Sequence, residues 1–121
     1  MSEEKQNTTG EMRSLGAWEF DNAVADGTVL LEFYADRCTH CRAMEPVLAE
    51  FAGKHPEVTV YRVDTDREVA LAVRMDVRQI PTLILYRDGK EADRRVGEMP
   101  LSELEAFAAE VPVAGMPVTG R

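Results

Sequence analysis

Cysteine is almost missing from this chain, with two residues, Cys38 and Cys41, in 121. That excludes a disulfide-stapled scaffold, which needs several bridges, and a chain of this length buries a core without staples. No stretch approaches the roughly 18 apolar residues of a membrane span. The opening run MSEEKQNTTGEMRSLG is polar and lacks the apolar core of a signal peptide. Positive charge is scarce too, with 14 Lys and Arg against 22 Asp and Glu and a formal charge of −8. Nucleic acid and anionic membrane both call for a positive field, so neither is an expected partner. Zinc wants four ligands, but His40 points along the helix beside the pair instead of closing around a shared centre, and the only other histidine, His55, is not clustered with it. A metal bridged between two chains stays open. The expected compartment is the cytoplasm, where thiols are kept reduced and a lone cysteine pair reads as catalytic or metal-binding.

What is present is organised as one domain. Residues 1–14 and 111–121 are polar or rich in Pro and Gly and read as flexible tails, leaving 15–110 as the folded unit. AWEFDNAVAD predicts a short helix closed by Gly27, and VLLEFYA, from Val29, a buried strand. After Cys38 the period changes: Cys41, Met44, Val47, Leu48, Phe51 and Ala52 share one helical face. Pro46 lies inside that helix and removes the bond to the Arg42 carbonyl, which predicts a kink. VTVYRVD reads as a strand and REVALAVRMD as a helix. TLILYRDGKEADRRVG reads as a hairpin turning at Arg87-Asp88-Gly89-Lys90. LSELEAFAAE is a last helix, with Ser102 and Glu105 spaced as a capping box. The order predicts an α/β fold, a mixed central sheet of four to five strands flanked by about four helices.

The cysteines fall between the first strong strand and the helix after it. A sulfur at a helix start meets unpaired N–H groups and the positive end of the dipole, so Cys38 is expected to be more acidic than a free thiol. Cys41, one turn in, falls on the apolar face. An exposed nucleophile beside a shielded partner suits thiol–disulfide exchange: Cys38 attacks a disulfide and Cys41 resolves the mixed disulfide.

These residues resemble the thioredoxin family. The resemblance runs from about Trp18 to Glu110 and rests on LEFYADRCTHC, Pro46, RQIPTLILYRDGK and RRVGE. It implies the thioredoxin fold and a cis bond from Ile80 to Pro81. It also implies a substrate groove lined by Ile80, Pro81, Val96 and Gly97, in which Ile80 offers its backbone to an extended substrate chain. Glu32 stands where the family has a buried aspartate that relays the proton of the second cysteine, and Arg62 where it has a lysine. Desolvation raises the pKa of a carboxyl in an apolar strand, as a general base near neutrality requires. A simple ion pair with Arg62 at a sheet edge is the alternative. Arg37 replaces the family's tryptophan, and with Arg42 and Arg78 it predicts a positive rim beside the site.

Thr39 and His40 replace the usual Gly-Pro between the cysteines. An imidazolium near Cys38 favours the thiolate and hence the reduced pair, so His40 predicts a potential above that of ordinary thioredoxin. A histidine here is similar to what protein disulfide isomerases and periplasmic thiol oxidases carry. The resemblance therefore implies a protein-disulfide oxidoreductase that binds no cofactor. If it is a reductase, it implies recharging by NADPH through a flavin-containing thioredoxin reductase. Protein substrates and a monomeric state are expected. A disulfide oxidase or isomerase outside the cytoplasm, and a binding module of the same fold without turnover, are the rival readings.

Overall fold

The run around Leu31 becomes the central strand of a five-stranded sheet in the computed structural model, which describes residues 12–109. This strand, β2 (Thr28–Tyr34), is covered on both faces. Val29, Leu31 and Phe33 join one core cluster and Leu30 the other. That is why it reads as an unbroken apolar run and not as an alternation. The remaining strands are β1 (Met12–Ser14), β3 (Val58–Asp64), β4 (Thr82–Arg87) and β5 (Lys90–Val96), in the order β1-β3-β2-β4-β5. β1 and β2 both run parallel to β3, and β4 and β5 are antiparallel additions.

Polarity alone puts residues 12–14 in the N-terminal tail, and here the structure corrects the boundary. Met12, Arg13 and Ser14 pair with Val60, Tyr61 and Arg62. Three residues carry no period of their own, and only the neighbouring strand makes them a strand. The other expected tail residues lie outside the described residues.

Ala17–Glu19 is a 3₁₀ turn leading into α1 (Phe20–Ala23); α2 (Thr39–Lys54), α3 (Val69–Arg74) and α4 (Leu101–Ala108) follow. Met44, Leu48 and Phe51 of α2 and Leu104 and Phe107 of α4 bury one face of the sheet. Phe20 of α1 and Leu71 of α3 bury the other. Pro46 lies inside α2 as expected. The capping box does not form. The Pro100 carbonyl takes the first helical bonds, from Glu103 and Leu104, so Ser102 is already inside the first turn. Glu105 turns instead to His55.

The hairpin turn forms where the sequence predicts it. Asp88 and Gly89 both have positive φ, 50° and 88°, the combination whose twist matches the flanking strands. The edge strand β5 is charged and largely exposed, which discourages pairing with another chain. Among the described residues no helix is long and apolar enough to cross a membrane. Parallel and antiparallel pairing together bring the ends of β2, β3 and β5 and the start of β4 to one end of the sheet, where α2 begins.

Candidate active site

Cys38 occupies the cap position before α2, and its half-buried sulfur accepts the Cys41 backbone N–H at 3.1 Å. The same sulfur lies 3.9 Å from the Ile80 carbonyl, a long contact. Cys41 is fully buried, and burial pushes its thiol up to about 12. The Cys38 sulfur and the charge of Glu32 add to that rise, and a backbone hydrogen bond from Ala35 works against it. The two thiols therefore differ in kind, one open at a helix mouth and the other held protonated inside. Cys41 cannot act as a nucleophile near neutral pH until a base takes its proton.

The carboxyl whose charge is felt at Cys41 is that of Glu32. It is fully buried in the central strand, not at an edge, and Arg62 stands opposite it across the β2–β3 ladder. Arg62 Nε donates to Glu32 Oε1 at 2.8 Å, while Oε2 is buried with no hydrogen-bond partner. Burial raises the Glu32 carboxyl from 4.5 to about 7, and the Arg62 hydrogen bond and charge only partly restore the ionised form. The direction is as expected, because one charge-assisted bond of about 1.5–3 kcal/mol does not offset desolvation of a buried carboxylate at several kcal/mol.

The loop opposite the cysteines is assembled from two strand ends. The Ile80–Pro81 bond is cis. Val96 pairs with Thr82, and the Gly97 N–H donates to the Pro81 carbonyl at 2.8 Å. Gly97 has φ of 103°, a conformation that side chains disfavour. Gly97 thus meets Pro81, and the Ile80 carbonyl before it faces the Cys38 sulfur. A cleft of about 300 Å³ is lined by Arg37, Thr65, Val77, Arg78, Gln79 and Ile80.

The charges around the site depart from expectation. Each arginine of the expected rim has a local partner: Arg37 pairs with Asp66 at 3.0 Å, Arg78 with Asp76 at 2.8 Å, and Arg42 donates to the Asp36 carbonyl at 3.4 Å. The charges of Arg37 and Arg78 are therefore paired with carboxylates, while Arg42 meets only a neutral carbonyl. The His40 Nδ1 lies 2.8 Å from the Glu98 carboxylate. Sequence reasoning missed two residues, Glu98 and Glu45. Glu45 lies one turn beyond Cys41, a spacing that could have drawn attention to it, whereas nothing local marks Glu98. Among the described residues no group of three or more His, Cys, Asp or Glu side chains could hold a metal ion.

Comparison with known proteins agrees with this geometry. The family model described as Thioredoxin matches residues 11–110. A thioredoxin of Chlamydia trachomatis is 44% identical over 78 residues, covering 64% of this chain and 76% of its own. Thioredoxin-1 of Saccharomyces cerevisiae is 36% identical over 94 residues, covering 77% and 91%. The solved structure of a mutant thioredoxin from Halobacterium salinarum NRC-1 superposes with a TM-score of 0.77 at 31% identity, covering 83% of this chain and 89% of that one.

Proposed function

The chain belongs to the thioredoxin family, and from that premise we propose that it exchanges dithiols for disulfides in protein substrates through Cys38 and Cys41. The observation that carries this reading is the asymmetry of the pair, a half-buried Cys38 sulfur facing the Cys41 N–H and a fully buried Cys41. The Cys38 thiolate attacks one sulfur of a substrate disulfide. That S–S bond breaks, a mixed disulfide forms, and the other substrate sulfur leaves and takes a proton. Glu32 takes the proton of Cys41, which attacks the Cys38 sulfur and expels the second substrate thiol. The protein ends with a Cys38–Cys41 disulfide and the substrate ends as a dithiol, two electrons having moved. The steps reverse when the protein oxidises.

Ile80, Pro81, Val96 and Gly97 hold the substrate backbone, with Arg37 at the mouth. No bound cofactor takes part, since the sulfurs carry the electrons. NADPH, through a flavin-containing thioredoxin reductase, is the proposed source of electrons for reduction. The proposed setting is a monomer in the cytoplasm, within a folded unit of 15–110 extended at its start by β1. His40, in the first turn of α2, raises the potential above that of ordinary thioredoxin, though the Glu98 carboxylate offsets part of its charge and limits the rise.

Two variants and one equilibrium test the reading. Cys38→Ser should abolish reduction of a protein disulfide, and Cys41→Ser should accumulate a mixed disulfide. A Cys38→Ser protein that keeps full activity would show a binding module instead. Equilibration with glutathione at several ratios reads the potential. A value equal to that of ordinary thioredoxin, about −270 mV, would overturn the proposed role of His40.

A further inference from the structure

Glu32 is not alone in reaching Arg62. Glu45, on the α2 face that carries Cys41 one turn earlier, sets its Oε2 3.6 Å from Arg62 Nη1, while Arg62 Nε holds Glu32. The Glu45 side chain is 54% exposed, that of Arg62 15% and that of Glu32 0%. One guanidinium therefore bridges a carboxyl in the core and a carboxylate at the surface. Its central carbon lies over the Tyr34 ring, 3.8 Å from the centroid, which limits its path. Glu32 is left with a single nitrogen on Oε1 and nothing on Oε2.

We propose that Glu45 is a positioning residue of the exchange reaction: by drawing Arg62 outward, it keeps the hold on Glu32 to one hydrogen bond and leaves the buried carboxyl able to accept the Cys41 proton. The inference rests on the relay role of Glu32 given above. The groups that face Glu32 are Cys41 and Glu45 from α2, Arg62 from β3 and Tyr34 on its own strand; across the β4 ladder stands Leu83, which carries no charge. Glu45 acts on Glu32 in one direction by two routes. Its negative charge disfavours a second carboxylate nearby, and it shares the cation that would otherwise serve Glu32 alone. Without that charge, Arg62 belongs wholly to Glu32, which then gives up its proton at lower pH and becomes a weaker base toward Cys41.

The test uses the full chain in its reduced form. The Glu32 side-chain carboxyl carbon is titrated by NMR, and release of substrate from a preformed Cys38 mixed disulfide is timed across pH. Glu45→Gln should lower the Glu32 midpoint by roughly half a unit to one unit, the scale of one partly screened charge. The release profile should move down in pH with it. Glu50→Gln, which removes an exposed carboxylate from the same helix, should move neither. A Glu32 midpoint unchanged in Glu45→Gln overturns the proposal. A midpoint that falls while the release profile stays in place overturns the Glu32 relay and leaves the hold of Glu45 on Arg62 standing.

Discussion

The two ends of α2 carry the same kind of pair and put it to different use. At the first turn His40 meets Glu98 at 2.8 Å with the histidine side chain 73% exposed. At the last, His55 meets Glu105 at 2.8 Å and is 31% exposed. His55 also stacks against Phe51, 4.6 Å between ring centres, and sets its other nitrogen 3.4 Å from Glu57. The far pair ties α2 to α4 with both ring nitrogens engaged. The near pair lies in the turn of α2 that follows Cys38, whose sulfur has one N–H, one long contact and the Cys41 thiol. In the strand before α2, Glu32 Oε2 has no partner. Polar groups with full complements hold a fold together. Groups left short can exchange protons or electrons, because little bonding must be broken when they do.

The sharpest way to break this comparison is to remove the unsatisfied carboxyl. In the fold Glu32 holds its proton to about 7, against an ordinary value of 4.5. Between those two pH values the folded chain binds a proton that the unfolded chain has lost. Its contribution to stability is therefore complete below pH 4.5 and is lost as pH rises through 7. The gain from Glu32→Gln should grow by about 3 kcal/mol from the acid side of that window to the alkaline side. Urea unfolding midpoints at both ends measure it, and a flat difference would show Glu32 to be well satisfied after all.

A smaller effect belongs to the far end. His55→Ala removes a ring contact and two carboxylate contacts and should cost about 1 kcal/mol, with the reduction rate unchanged. Urea midpoints and turnover of the same preparation check both halves. Loss of rate without loss of stability would erase the distinction between the ends. The smallest structural effect belongs to His40→Ala, which should leave the unfolding midpoint in place. It should lower the potential of the pair by no more than about 30 mV, read by equilibration with glutathione. A fall in stability with an unmoved potential would make His40 a structural residue like His55.

Much of the site was legible in the sequence. VLLEFYA followed by Cys38 and the Cys41–Met44–Leu48–Phe51 face placed a strand, a helix start and a buried second sulfur, all features of residues near one another in the chain. RDGK announced its turn. The failures share one cause. Met12–Ser14 is a strand only because β3 lies beside it. Ser102 misses its cap because Pro100 starts the helix earlier. Arg37 of the expected rim is paired off because Asp66, 29 residues away, folds back onto it.

The chain by itself determined the succession of elements, the placing of a sulfur at a helix mouth with its partner one turn inside, and the acid set in an apolar strand. Each follows from periods and spacings within a dozen or so residues, where backbone sterics and side-chain alternation decide the outcome. Only the tertiary structure decided which opposite charge these exposed groups meet: Asp66 for Arg37 across 29 positions, Glu98 for His40 across 58. Ion pairs depend on distance in space, and the sheet order that sets that distance brings together residues far apart in the chain.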